Sequence, residues 1–168
     1  MIQVYTGNGK GKTTASLGLA FRALGEGLKV YMIQFMKGYS VTGEYKMAEK
    51  TKNFTMVYKG RNAFINKTEV TEEDRRLARE GMNKAREVIS SGKYDLLILD
   101  EINLALDYKL IPLEDLLQVL RLNPAPEIVL TGRNVPEEIL EIADLVTEMR
   151  EIKHYYNKGV KARKGFEY

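Results

Sequence analysis

Apolar residues along this chain fall into two alternating rhythms. Short runs at Ile2–Thr6, Val30–Phe35, 54–58, 96–99 and 128–130 are rich in Ile, Val, Leu, Phe and Tyr. Between them lie longer segments whose apolar positions recur every three or four residues. Strand-like and helix-like runs in alternation predict an α/β fold, a mostly parallel sheet with helices on both faces. The run 96–99 has no polar position, as expected of a central strand buried on both sides. A first helix is expected over 13–24, with Leu17, Ala20, Phe21 and Leu24 along its apolar side and Gly25 and Gly27 ending it. Thr71 and Asp74 form a capping box ahead of Leu77, Ala78, Met82, Ala85, Val88 and Ile89, a core helix that Gly92 closes. Pro112 and Pro136 mark the first turns of two further helices, and 145–149 reads as a last strand. The stretch 37–53, rich in Gly, Lys and Glu, reads as a long functional loop.

Composition narrows the chemistry. The 168 residues, 44% hydrophobic and 29% charged, are expected to form one globular domain spanning 1–168. There is no cysteine and a single histidine, His154, which excludes disulfides, thiolate nucleophiles and thiolate metal sites. A metal would be held by oxygen ligands or by the lone His154, which favours magnesium over zinc. No window approaches the roughly 20 apolar residues of a membrane helix, and the Met-Ile-Gln-Val-Tyr start lacks a basic segment, so the protein reads as cytoplasmic with no membrane partner. A net charge of +3 is too small to imply nucleic-acid binding. The charge is uneven, however. The segment 153–168 carries Lys153, Lys158, Lys161, Arg163 and Lys164 against Glu167 alone, among Tyr155, Tyr156, Phe166 and Tyr168. This basic aromatic C-terminal tail fits either a solvated segment or an anion-facing flap.

Two motifs carry chemistry. Between the first strand and the first helix lies Thr6-Gly7-Asn8-Gly9-Lys10-Gly11-Lys12-Thr13-Thr14, a glycine-rich turn that ends in Gly-Lys-Thr. Several N–H donors converge on phosphate oxygens only where the backbone wraps tightly, and the helix N-terminus and Lys12 add positive charge. Thr13 is placed to offer its hydroxyl to a magnesium ion bridging phosphate oxygens. The usual first glycine of such loops is here Thr6, with Gly7 displaced by one. The second motif is Leu96-Leu97-Ile98-Leu99-Asp100-Glu101, an apolar strand that delivers two carboxylates at its C-terminal end, where open α/β sheets bind ligands. One of these carboxylates, Asp100 or Glu101, can hold magnesium directly or through water. Together the motifs predict a single P-loop NTPase (RecA-like) domain that binds ATP with magnesium. They do not fix the reaction, because kinases, motor ATPases and other transferases share them.

Further segments sharpen the reading: Gln34-Phe35-Met36-Lys37-Gly38, Gly43-Glu44, Thr131-Gly132-Arg133, Ala143-Asp144-Leu145-Val146-Thr147-Glu148-Met149 before Lys153-His154, and Gly159-Val160-Lys161-Ala162. In order and spacing, with the phosphate loop, they resemble the P-loop family of ATP:corrinoid adenosyltransferases over nearly the whole chain. Two features depart from the family pattern: no segment precedes the first strand, and 60–64 lacks a tryptophan-containing aromatic pair.

The resemblance implies that Co(I) of a reduced corrinoid attacks the 5′-carbon of ATP and triphosphate leaves, in adenosylcobalamin biosynthesis or salvage. The nucleophile is then the corrinoid, and the protein needs no catalytic serine, cysteine or general base. The implied catalytic residues are Lys12, Thr13 and Glu101. ATP contacts would come from Gly7, Asn8, Gly9, Lys10, Gly11, Lys12, Thr13, Thr14 and Arg133, and the metal site from Thr13, Asp100 and Glu101. Lys37 and Arg133 are further candidates for phosphate or corrin side-chain contacts. Phe35, Met36, Lys37, Gly38, Tyr39 and Phe64 fit a corrin surface, although the aromatic and methionine side chains fit a core or dimer contact equally. His154 reads as a structural or rim residue. A flavoprotein reductant supplying Co(I) and a homodimer are implied partners. Two alternatives stand beside this reading: a RecA-like ATP hydrolase or kinase, and a non-catalytic ATP-binding switch.

Overall fold

The computed structural model describes residues 1–38, 42–63, 65–122 and 126–167. Six strands, β1 (Ile2–Thr6), β2 (Val30–Phe35), β3 (Phe54–Lys59), β4 (Leu96–Asp100), β5 (Glu127–Thr131) and β6 (Leu145–Glu148), form one sheet in the order β3-β2-β4-β5-β1-β6. Every pairing among them is parallel. Parallel neighbours need crossovers, and helices supply them: α1 (Lys12–Gly25), α2 (Gly43–Lys50), α3 (Glu72–Ser91), α4 (Ile102–Asp107), α5 (Leu113–Leu120) and α6 (Glu137–Ile142). The fold is therefore the α/β class expected, with β4 at the centre and all five of its residues buried.

Strand alternation splits the core in two. Val30, Met32, Leu96, Ile98 and Val129 point to one face, where Ala20 of α1 and Ala48 of α2 cover them. Tyr31, Ile33, Phe35, Leu97, Leu99, Ile128 and Leu130 point to the other, under Ala78, Met82 and Ala85 of α3 and Leu116 of α5. On that second face α3 lies so close to β2 that a Cβ on Gly81 would stand 2.5 Å from Phe35 Cε1. A mid-helix glycine costs about 1 kcal/mol of helix propensity, and here it makes room for the ring. The Thr71–Asp74 capping box is present in full, and Gly92 ends α3 in the left-handed conformation.

Three expectations are corrected. The stretch 37–53 is not one loop, because Thr42 accepts a hydrogen bond from the Tyr45 N–H and starts the eight-residue α2. Phe21 does not face the core. It is 82% exposed, since the apolar side of α1 is filled by Leu17, Ala20 and Leu24. Phe35 is completely buried against Gly81 and belongs to the core, not to a corrin surface.

Candidate active site

The four central strands end alike. Directly after β1, β2, β4 and β5 stand Gly7, Met36, Glu101 and Gly132, each with positive φ (94°, 59°, 61° and 132°). The chain thus turns sharply at the C-terminal edge of each strand, the edge where parallel sheets bind ligands. For Met36 and Glu101 the left-handed backbone costs about 1 kcal/mol each, a cost that recurs at functional rims.

The turn after β1 is pressed against the chain that leaves β6. A Cβ on Gly7 would lie 2.5 Å from the Met149 carbonyl oxygen, and one on Gly9 would lie 2.7 Å from it. The Gly9 N–H donates to that oxygen at 2.7 Å, so this amide is already engaged. The displaced glycine of the motif is accordingly the residue this close approach requires. Lys12 is buried beneath the turn, and its Nζ donates to the carbonyls of Gly7 and Gly9, each at 2.8 Å. Burial pushes its ammonium below the usual lysine range, with the Glu101 carboxylate opposing.

Asp100, at the end of β4, is fully buried and gathers four donors. Thr13 Oγ1 (2.9 Å) and Thr131 Oγ1 (2.7 Å) donate to Oδ1, while Gln34 Nε2 (3.0 Å) and Lys37 Nζ (2.8 Å) donate to Oδ2. Burial alone would raise this carboxyl, but the charge and hydrogen bond of Lys37, with the two threonine hydroxyls, hold it below the usual carboxylate range. Asp100 therefore ties α1, β2 and β5 to the centre of the sheet. Glu101 is different. No described residue donates to its carboxylate, and burial, followed by the neighbouring Asp100 charge, pushes it above the usual range. Beside them, Gln34 Oε1 is buried without a partner among the described residues.

Two cavities open on this rim. One, of about 440 Å³, is lined by 10–14 of the phosphate loop, Leu17, Glu44 and the tail residues 165–167. The other, of about 420 Å³, is lined by Met36, Gly38, Arg61, Asn62, Ala63, Ile65, Leu104 and Tyr108. Lys37 and Glu101 line both.

The structure thus gathers Lys12, Thr13, Lys37, Asp100 and Glu101 at one point, with Gly11 and Thr14 beside them. Other expected residues lie further out. Asn8 is exposed, and Arg133 reaches its carbonyl from outside the loop at 3.4 Å. Lys10 is turned to the tail, where it bonds Tyr155, Phe166 and Glu167. At this loop cation the tail thus presents its acid rather than its basic face. His154 caps a short 3-10 turn by accepting from the Tyr156 N–H. Tyr39 and Phe64 lie outside the described residues. Arg61, Leu104 and Tyr108 were not anticipated. Leu104 sits three residues beyond the acidic pair, which was the available signal for it, whereas Arg61 and Tyr108 reach the second cavity only through tertiary folding.

Among the described residues there is no cluster of three or more His, Asp or Glu side chains able to cage a metal. Thr13, Asp100 and Glu101 bring oxygen donors to this rim, the ligand type that magnesium takes. Comparison with known proteins decides the family. The model of ATP:corrinoid adenosyltransferase BtuR/CobO/CobP matches residues 1–168. The chain belongs to this family. It is 39% identical over 170 residues to the corrinoid adenosyltransferase of Escherichia coli K12, covering all of this chain and 85% of that protein. The corrinoid adenosyltransferase of Sinorhizobium sp. is 38% identical, with 100% and 80% covered. The corrinoid adenosyltransferase CobA of Salmonella typhimurium LT2 is 35% identical, with 100% and 85% covered. No helix among the described residues is long and apolar enough to cross a membrane.

Proposed function

We propose that the chain transfers the 5′-deoxyadenosyl group of ATP to the Co(I) centre of a reduced corrinoid, releasing triphosphate, in adenosylcobalamin biosynthesis or salvage. One observation carries this reading: a cavity floored by the phosphate loop and a second cavity share the wall formed by Lys37 and Glu101. Two substrates can thus meet at one rim. The cobalt electron pair forms the bond to the 5′-carbon, and the electrons of the carbon–oxygen bond leave with the triphosphate. The protein aligns the reactants and carries the charge on the leaving group. Lys12, the amides of 11–14 and the N-terminus of α1 serve the phosphates. Magnesium, when bound, supplies further neutralising charge, with Thr13 and Glu101 as its protein ligands. Asp100 accepts the hydrogen bond of the Thr13 hydroxyl, which would leave the oxygen lone pairs free to hold that ion. Lys37, steadied by Asp100, contacts a phosphate or a corrin side chain. Met36, Leu104 and Tyr108 provide the apolar surface for the ring, and Gly38, Arg61 and Asn62 lie at its edge.

The attacked atom fixes the expected orientation of ATP. Charge develops on the α-phosphate oxygen as the 5′-carbon departs, so the α-phosphate belongs near the turn where phosphoryl-transfer enzymes hold the γ-phosphate, with adenosine toward the second cavity. The 1–168 domain works in the cytoplasm, beside a flavoprotein that delivers the electron for Co(I). It forms a homodimer, a reading supported by the exposed Phe21 and Met47 flanking an apolar groove between α1 and α2. A crystal structure with a non-hydrolysable ATP analogue and magnesium tests the orientation. Adenosine directed at Lys37, Glu101 and Met36 is expected; a γ-phosphate against Lys12 and Glu101 with adenosine directed away would instead favour hydrolysis.

A further inference from the structure

The ammonium of Lys10, in the middle of the phosphate loop, faces away from the loop toward residues some 150 positions later. It donates to Tyr155 Oη at 2.6 Å, to the Phe166 carbonyl at 3.0 Å and to Glu167 Oε1 at 2.7 Å. An ammonium has three protons, and all three are used. Glu167 is tied in turn. Tyr155 donates its hydroxyl to it, the Arg163 N–H donates at 2.6 Å, and the Arg163 guanidinium lies at 3.3 Å while covering the rings of Tyr155 and Phe166. The Glu167 side chain is only 16% exposed. The segment this lock holds, 165–167, is one wall of the cavity that contains the phosphate loop.

We infer that Glu167, Tyr155 and Arg163 are positioning residues for Lys10, and that the tail locked by them is a wall of the nucleotide site that sets the affinity for ATP. The inference rests on the reading of the first cavity as the ATP site. Lys10 then acts as the tether of this wall and not as a phosphate ligand, because a phosphate could take its protons only by releasing the tail. Electrostatics fits the same picture. A bare carboxylate at this mouth would repel a triphosphate, but Lys10 and Arg163 both pair with Glu167 and offset its charge.

The test turns on the sign of one effect. Glu167→Gln keeps the shape of the side chain and removes a negative charge from the mouth. If only the local field mattered, the variant would bind ATP more tightly; if Glu167 positions the wall, it binds less tightly despite the lost negative charge. Calorimetric titration of the full chain with ATP and magnesium should give about a tenfold loss for Glu167→Gln and for Lys10→Ala, with no further loss in the double variant, as for residues acting through one contact. The exchange Lys10→Glu with Glu167→Lys should recover part of the affinity that either change alone removes. Trypsin cutting after Lys161, Arg163 and Lys164 should be slowed by ATP in the wild type and not in Glu167→Gln. Unchanged or tighter binding by Glu167→Gln overturns the inference. So does a Lys10→Ala loss far exceeding that of Glu167→Gln without recovery in the exchanged pair, which would make Lys10 a direct phosphate ligand. If the wild type itself fails to bind ATP, the cavity assignment falls, and the inference falls with it.

Discussion

Replacing Asp100 by Asn changes one atom and reverses the direction of the hydrogen bonding on one side of it. The carboxylate accepts from Thr13 and Thr131 on one oxygen and from Gln34 and Lys37 on the other. An asparagine amide aimed at the Lys37 ammonium would set donor against donor, so its nitrogen will face the threonines, whose hydroxyls can rotate and accept. Two consequences follow. Lys37 keeps a neutral acceptor but loses its ion pair; a charge-assisted bond is worth about 1.5–3 kcal/mol, and because the lysine side chain is 32% exposed this falls to about 1 kcal/mol. With a urea m-value of about 2 kcal/mol/M, the unfolding midpoint should drop by about 0.5 M. The larger effect concerns Thr13. Once its oxygen accepts from the amide, its own proton must point elsewhere, toward the place a magnesium ion would take. Magnesium-dependent ATP affinity should therefore fall about tenfold or more, and adding Thr13→Ala should cost little further. Magnesium titrations at fixed ATP, alongside urea melts, measure both. A variant with normal magnesium dependence, in a background where Thr13→Ala lowers it, would refute the orienting role of Asp100.

Lys12→Ala and Thr13→Ala should each reduce turnover with reduced corrinoid about a hundredfold or more, as expected for groups that stabilise leaving-group charge in a closed site; near-normal rates would remove the phosphate-cradle assignment. Glu101→Gln should weaken magnesium-dependent ATP binding and turnover together, whereas a rate defect with unchanged metal dependence would point to a water-activating carboxylate. The Arg61–Asp74 pair gives a pH-dependent prediction. Burial, the largest influence on Asp74, raises its carboxyl, but bonds from Arg61 and Thr71 outweigh it and hold the group below the usual carboxylate range in the folded state. A depressed folded value stabilises above the unfolded one and is lost as pH falls through it. The melting-temperature gap between wild type and Arg61→Ala should therefore be constant above about pH 5 and close below about pH 4, whereas a gap that widens in acid would contradict the sign.

What was legible in the chain was what short-range pattern controls. Apolar runs located the five longer strands to within two residues at their ends, and the Thr71–Asp74 box fixed the start of α3. The phosphate loop and the acidic pair fell where they were expected. The misreadings share a cause: an apolar or polar residue at an element's edge has two outlets, and sequence does not say which is filled. Phe35 ends β2 and could have faced a ligand, but Gly81, forty-six residues later, opens a slot for its ring. Phe21 continues the apolar stripe of α1, yet it is Leu17, Leu19, Ala20, Ala23 and Leu24 that pack on this face, and Phe21 is left exposed. The Gly-Lys-Glu composition of 37–53 hid α2, although Thr42 was a usable start signal. Least legible was the convergence on Asp100 and the Lys10–Glu167 lock, since both join residues brought together only by the strand order.

Product analysis tests adenosyl transfer most directly. The chain should be incubated with ATP, magnesium and a chemically reduced Co(I) corrinoid, and the phosphorus products quantified beside the spectrum of the alkylated corrinoid. Expected is one inorganic triphosphate for each cobalt–carbon bond formed, with no ADP and no turnover when the corrinoid is left out. ADP and inorganic phosphate appearing without a cobalt–carbon bond would contradict adenosyl transfer and make the chain an ATP hydrolase.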